Sequence, residues 1–195
     1  MVDSYEDVLG WIGDETTTLF DIAIDNVPSG SSATFVEIGT YRGKSSICLY
    51  DKIQESGKDI TLYTVDNWMG TEPHDQPEDN NRDIFIENRG TRGINLIDDD
   101  TVYVCDLFTS QSVDFLFIDS NNQYSALEYE ISCWTPKMKS GSIISGHDYH
   151  WDGVGRVVNS LFPTAMIITE SISHTAEFPE MQPEEWRHHA WYATL

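Results

Sequence analysis

The stretch Phe35-Val36-Glu37-Ile38-Gly39-Thr40-Tyr41-Arg42-Gly43-Lys44-Ser45-Ser46 reads as an apolar β-type run closing on an acid, a turn with two glycines, and the start of a helix. Glycine in such a turn supplies backbone dihedrals that a Cβ forbids, or lets a ligand lie directly against the main chain. Both uses point to a cofactor seated over the turn. The helix that follows presents unsatisfied N–H groups and the positive end of its dipole, which suit an anion or a carboxylate.

Working outward from this turn, apolar residues at helical spacing predict two N-terminal helices within residues 1–32, from Ser4 to Ile12 and from Asp14 to Val27. Pro28-Ser-Gly-Ser-Ser32 then breaks the pattern before the first strand. Downstream, Ser45 to Glu55 reads as a helix stopped by Gly57, and Ile60 to Val65 as a strand ending at Asp66, which together make a βαβ unit. The segment from 67 to 95 opens with a polar, breaker-rich loop, Gly70 to Asn81, and continues with a short helix from Asp83 to Asn88. A loop of that length is expected to form a substrate wall or a lid. Thr101 to Cys105 is expected as the third strand, ending at Asp106, Leu107 and Phe108. Val113 to Ile118 is apolar enough for a central parallel strand buried on both faces, and it ends at Asp119. A helix from Tyr124 to Trp134 leads to a fifth strand, Ser142 to Ser145, closing on Gly146-His147-Asp148-Tyr149. Val154, Val157, Val158 and Leu161 form a helical stripe, and the last strands, Ala165 to Thr169 and His189 to Thr194, are joined by an acidic loop carrying Pro179 and Pro183.

The 195 residues fit one domain, 1–195, with a core-forming part at 33–195. A formal charge of -22, with 33 acidic against 11 basic residues, argues against nucleic acid or an anionic membrane as partner, because phosphate binding needs clustered Lys and Arg. The same surplus fits solubility at high salt. Cys48, Cys105 and Cys133 stand far apart among apolar neighbours and read as buried thiols of a reducing compartment. Neither a membrane-length apolar run nor a signal peptide is present, so a cytoplasmic protein is expected.

The glycine spacing separates two cofactor classes. Dinucleotide enzymes read G-x-G-x-x-G, whereas here the position two after Gly39 is Tyr41, whose side chain would collide with a pyrophosphate. The form E-x-G-x-x-x-G resembles instead motif I of the class I methyltransferases that use S-adenosylmethionine. Asp66, at the end of the second strand, suits both ribose hydroxyls of a nucleoside-bearing cofactor, or alternatively the capping of a turn. Trp68 covers the adenosine or packs. The resemblance extends over roughly Phe35 to Leu161 through Val113-Asp-Phe-Leu-Phe-Ile-Asp119, Tyr124, Trp134-x-Pro-Lys-Met-Lys-x-Gly141 and Gly146-His147-Asp148-Tyr149 followed by Gly153-Val154. These motifs are similar to the subfamily found beside sugar-modifying and polyketide-tailoring genes.

That resemblance implies an α/β fold, a Rossmann-like three-layer sandwich whose mostly parallel seven-stranded sheet has an antiparallel last strand. It implies cofactor contacts from Glu37, Gly39, Thr40, Tyr41, Gly43, Ser45, Ser46, Asp66, Asn67, Trp68, Asp106, Leu107 and Asp119. In metal-dependent relatives, carboxylates after the fourth and fifth strands hold Mg²⁺; the matching residues are Asp119 and Asp148, with His147 beside them and His147 or His150 as the base. A departure stands at Ser120-Asn121-Asn122, where the family commonly has Gly-Asp-His, so an acid and a histidine are replaced by amides. Three readings follow: an O-methyltransferase acting on a hydroxyl of a sugar or other small molecule, a protein of the same fold that binds the cofactor without efficient catalysis, and, disfavoured by Tyr41, a nicotinamide oxidoreductase. Whether it forms a homo-oligomer is left open.

Overall fold

The computed structural model describes residues 2–70, 80–169 and 189–195. Its strands are β1 (Ser32–Ile38), β2 (Asp59–Asp66), β3 (Asn95–Asp98), β4 (Val113–Ile118), β5 (Met138–Gly146), β6 (Met166–Thr169) and β7 (His189–Thr194). They form one sheet in the order β3-β2-β1-β4-β5-β7-β6. Strands β1 to β5 pair in parallel, and β7 runs antiparallel to both of its neighbours, β5 and β6. The helices are α1 (Asp14–Asn26), α2 (Lys44–Ser56), α3 (Asn81–Arg89), α4 (Thr101–Val104), α5 (Tyr124–Trp134) and α6 (Asp152–Leu161).

The three layers follow from the period-two alternation of β1 and β4. Phe35, Phe115 and Phe117 turn to one face, against Leu19 and Phe20 of α1 and Ile47 of α2. Val36, Ile38, Leu116 and Ile118 turn to the other, against Leu127, Ile131 and Trp134 of α5 and Val154 and Val158 of α6. Both faces are therefore dry, which is why the run of β4 is almost uninterrupted in apolar residues. Its one acid, Asp114, sits near the amino edge of the sheet, where Lys139 Nζ lies 2.7 Å away and the Thr34 N–H donates to it at 2.8 Å. Phe20 meets Phe117 edge to face at 5.2 Å, an arrangement that contributes about 0.5–1.5 kcal/mol beyond its buried area.

Three expectations are corrected. The Ser4–Ile12 helix is a short 3₁₀ turn, Tyr5–Asp7, followed by extended chain. Val8 is buried and Tyr5 packs on the core with only this single turn to present them, so the helical spacing reflects a segment of chain draped over the core. The third strand is Asn95–Asp98, and Thr101–Cys105 is helical turn instead. The β-branched Thr-Val-Tyr-Val run loses because the edge of β2 is already taken by Asn95–Asp98, while the Asp100 side chain accepts the Val102 N–H at 3.1 Å and starts a helix. Asp106 and Leu107 consequently do not stand at a strand's carboxyl end. Leu107 lines a shallow cleft with Thr34, Tyr63 and Ser112, and Asp106 lies 3.4 Å from Lys137, beside the amino ends of β4 and β5. Residues 71–79, within the expected wall or lid, and the loop with Pro179 and Pro183 lie outside the described residues.

Candidate active site

The turn after β1 is shaped by contacts that glycine alone permits. Gly39 has φ +90°, and a Cβ there would stand 1.9 Å from the Asp119 carbonyl oxygen. Its lack of a side chain brings the ends of β1 and β4 together, so the protein's own backbone already requires glycine here. Gly43, also at φ +90°, would place a Cβ 2.6 Å from the Phe85 ring. Between them Tyr41 holds φ +47°, and Trp11 from the N-terminal segment lies over its ring at 5.3 Å. Asp66 keeps this geometry: Oδ2 accepts the N–H groups of Thr40 (2.8 Å) and Tyr41 (2.9 Å), and Oδ1 accepts that of Trp68 (2.8 Å). The carboxylate thus caps the turn.

Beneath the turn Glu37 is wholly buried, with Oε2 accepting from the Ser46 hydroxyl and from Thr64 Oγ1 at 3.0 Å. Thr40 Oγ1 bonds in turn to Thr64 Oγ1, and Ser45 is buried beside them. Burial pushes the Glu37 carboxyl up to about 7, against the hydroxyl hydrogen bonds that pull it down. Helix α2, 13 residues long, starts here with no side chain capping its first N–H groups.

At the carboxyl end of β3, the place where Asp106 was expected to stand, the structure puts Asp98. Asp98 accepts from Arg82 Nε at 2.7 Å and from the Trp68 indole N–H, and Trp68 packs on Phe85 at 6.0 Å. Partial burial raises the Asp98 carboxyl, but the hydrogen bonds from Arg82 and Trp68 outweigh it and leave it below its ordinary value. Asn67 Nδ2 reaches Asp100 at 3.4 Å. The signal that was available is the acid run Asp98-Asp99-Asp100 behind a Leu-Ile pair.

Across the sheet, Gly146 lets β5 close on β4, since a Cβ there would lie 2.6 Å from the Ile118 carbonyl oxygen. The next residue, His147, is buried, with Nδ1 at 3.1 Å from Asp148 Oδ1 and 3.8 Å from Asp119 Oδ1. Its other nitrogen, Nε2, lies 3.4 Å from Glu15 Oε1, a buried acid on the first turn of α1 that sequence reasoning missed. An acid at a helix start reads locally as a dipole partner, so nothing near Glu15 in sequence announces the histidine. Burial depresses the His147 imidazolium, but the Asp148 carboxylate 3.1 Å away, the Glu15 carboxyl group 3.4 Å away and the charge of Asp119 hold it well above its ordinary range. Burial likewise raises Asp148, and the His147 hydrogen bond and charge reverse this, bringing it to about 2.

Asp148 has φ +57°, an unusual conformation for a non-glycine residue. Asn122 Nδ2 donates to its Oδ2 at 2.8 Å, so the amide that replaces the family histidine positions this aspartate. Asn121 is turned away: its Oδ1 accepts the Gln123 N–H at 2.9 Å ahead of α5. Ligand atoms of Asp119, His147 and Asp148 lie within 4.8 Å of one another, a spacing that suits one cation. His150, exposed at the surface, meets the His189 ring edge-on at 5.7 Å, and partial desolvation lowers its pKa.

Residues 36–149 match the model of a family described as "Methyltransferase domain". No curated protein matches the chain. Among solved structures it is similar to an S-adenosylmethionine-dependent O-methyltransferase from Thermotoga maritima (10% identity, TM-score 0.63, 97% of this chain and 67% of that one). It is likewise similar to a TDP-rhamnose 3'-O-methyltransferase of calicheamicin biosynthesis (12% identity, TM-score 0.58, 92% and 77%). Spermidine synthase from Thermotoga maritima also aligns at 11% identity and TM-score 0.59, over 92% of this chain, which spans 57% of that protein. Likeness at this level of identity reaches the fold alone, and a synthase among these structures means that the reaction must be argued from the site.

Proposed function

The chain belongs to the methyltransferase-domain family, and we propose that it is an S-adenosylmethionine-dependent O-methyltransferase acting on a hydroxyl of a sugar or other small molecule, with divalent-metal assistance. The observation that carries this reading is the meeting, at one sheet edge, of the uncapped α2 N-terminus, the acids Asp66 and Asp98, and the Asp119–His147–Asp148 cluster.

The donor set fits the cofactor chemically. S-adenosylmethionine carries a carboxylate, a ribose diol and two cationic groups, and when bound supplies an electrophilic methyl. The α2 N-terminus suits the carboxylate, and the remaining lone pairs of Asp66, Asp98 and Asp119 suit the diol and the cations. Asp119 and Asp148 would hold a Mg²⁺ ion, whose chemistry is to lower the pKa of an acceptor hydroxyl. His147 is kept protonated by its carboxylate neighbours, so it orients Asp148 rather than taking a proton as found. His150, pushed below its ordinary pKa, is the imidazole able to accept one at neutral pH.

Calorimetry with S-adenosylhomocysteine and with NAD tests the cofactor: binding of the first and not of the second is expected, and the reverse would overturn the proposal. On a panel of glycosyl and phenolic acceptors, methyl transfer is expected to stop in excess chelator and to return with Mg²⁺ or Mn²⁺. Full turnover in chelator would remove the metal and leave His150 as a metal-free base. Cofactor binding without turnover on any acceptor would favour the binding-only reading that Asn121 and Asn122 motivate.

A further inference from the structure

We propose that Trp11 is the stacking platform of an acceptor site, and that the ring it takes is uncharged: a glycosyl or phenyl ring carrying no phosphate. Only the fate of that ring's hydroxyl rests on the methyl-transfer reading above; the stacking of the ring does not.

The chain ahead of α1 is laid across the mouth of the site. Arg92 holds its beginning through the carbonyl oxygens of Val2 and Asp3 at 3.1 and 3.3 Å, and Val8 is buried in the core. Gly10 then passes directly over the first residue of α2, where a Cβ would stand 2.9 Å from Lys44 Cβ. Gly13 donates its N–H at 3.1 Å to Glu15 Oε1, and the same oxygen lies 3.4 Å from His147 Nε2. Between Gly10 and Gly13 the segment therefore goes from the turn after β1 to the end of β5. In the sheet these two places flank β4, which ends on Asp119. Neighbouring strands lie about 4.8 Å apart, so the crossing is about 10 Å, the reach of three extended residues. Trp11 stands within that crossing.

The indole is placed there without serving the core. Val8 supplies the buried contact of this segment, whereas Trp11 is 40% exposed. Its ring meets Tyr41 at 5.3 Å with the planes 32° apart, and Tyr41 is fixed at φ +47° with its N–H given to Asp66 at 2.9 Å. Arg42 sets its guanidinium 5.1 Å from the centre of the Tyr41 ring and donates from Nε to Asn81 at 2.9 Å. Tyr41 and Arg42 thus back the indole, and the outward face of this cluster is that of Trp11. A rigid aromatic ring, supported on one side and wet on the other, takes the flat apolar face of a sugar or phenyl ring at little cost in ordering.

Charge decides what that ring can carry. The groups about the crossing are Asp14, Glu15, Asp66, Asp119 and Asp148 against Arg42, Lys44 and His147. Acid is in the majority even with His147 counted as a cation, and a divalent ion on Asp119 and Asp148 would do no more than balance it. Phosphate recognition needs a surplus of positive charge, which the described residues do not supply here.

The test uses the whole protein with ¹⁵N-labelled tryptophan and reads the indole N–H signals, the Trp11 signal being the one missing from Trp11→Phe. Four probes are titrated as matched pairs: methyl glucoside with glucose 1-phosphate, and phenol with phenyl phosphate. A neutral probe is expected to move the Trp11 signal saturably, and which of the two does so identifies the source of the ring. Its affinity is expected to fall about tenfold in Trp11→Ala and largely to recover in Trp11→Phe. Each charged probe is expected to bind at least about tenfold more weakly than its neutral match. A Trp11 signal that neither neutral probe moves, or a charged probe that binds as tightly as its match, overturns the proposal on wild type alone, with no variant needing to fold. An affinity unaltered in Trp11→Ala also overturns it. S-adenosylhomocysteine calorimetry runs alongside: failure of that ligand to bind would strike the cofactor reading, while the Trp11 signal still decides the ring.

Discussion

Glu37 shows how burial alters the charge state of an acid. It stands at the end of β1, wholly buried, and burial pushes its carboxyl up to about 7 from 4.5. A folded-state pKa above the unfolded one means stability that is complete below the unfolded value and is lost as pH rises through the folded value. Raising the pH from 4.5 to 8 should therefore cost about 3 kcal/mol through this group, at 1.36 kcal/mol per unit. Glu130, buried on α5, accepts from Ser120 Oγ at 2.7 Å, and burial pushes it to about 7 as well, so it adds a slope of the same sign. Urea unfolding at pH 5 and pH 8 checks this: Glu37→Gln should lose less stability than wild type across that interval. An equal loss in both proteins would mean that Glu37 is ionised in the folded state, held by its three hydroxyl neighbours.

At the scale of elements, Gly39 joins two strand ends, and its prediction follows from that. Gly39→Ala must place a Cβ where the Asp119 carbonyl oxygen now lies, 1.9 Å away, at a φ of +90° that alanine disfavours. Backbone must move, and a loss of about 2–4 kcal/mol in urea unfolding is expected from overpacking and strain together. Near-neutrality would mean that the loop after β4 yields freely. The variant therefore cannot serve as a clean probe of cofactor binding. The elements that were legible in the sequence are those whose local pattern and tertiary role agree. Strand Val113–Ile118 and helix Tyr124–Trp134 match to the residue, and α2 ends on Gly57 at φ +65°. Strand β3 was not legible because it is a four-residue edge strand with only Leu96 and Ile97 to mark it. Better β-formers a few residues on were captured by the Asp100 cap. At the site the strand-end acids Glu37, Asp66, Asp119 and Asp148 were readable from position. Glu15 was not, since its partner is set by the packing of α1 against the carboxyl edge.

The whole molecule carries a formal charge of -22, and several of its few cations among the described residues are committed to particular acids. Arg92 spans Asp51 at 2.8 Å and the carbonyl oxygens of Val2 and Asp3, pinning the N-terminal segment. Lys139 neutralises Asp114, and Arg82 neutralises Asp98. None of the helices among the described residues is long and apolar enough to cross a membrane. Most of the remaining acids repel one another across water, and this self-repulsion destabilises the compact state. Salt should relieve it. The screening length falls from about 10 Å at 0.1 M to about 3 Å at 1 M, shorter than the spacing of most surface charges. Each kcal/mol recovered raises Tm by about 2–4 °C in a chain of this size, so KCl from 0.1 to 1 M should raise Tm by several degrees. The form of the curve identifies the cause. Screening flattens above about 1 M, whereas a general salting-out of apolar surface keeps rising with concentration. A Tm insensitive to KCl below 1 M would mean that the acids are spaced widely enough not to interact, and that the charge serves solubility without burdening the fold.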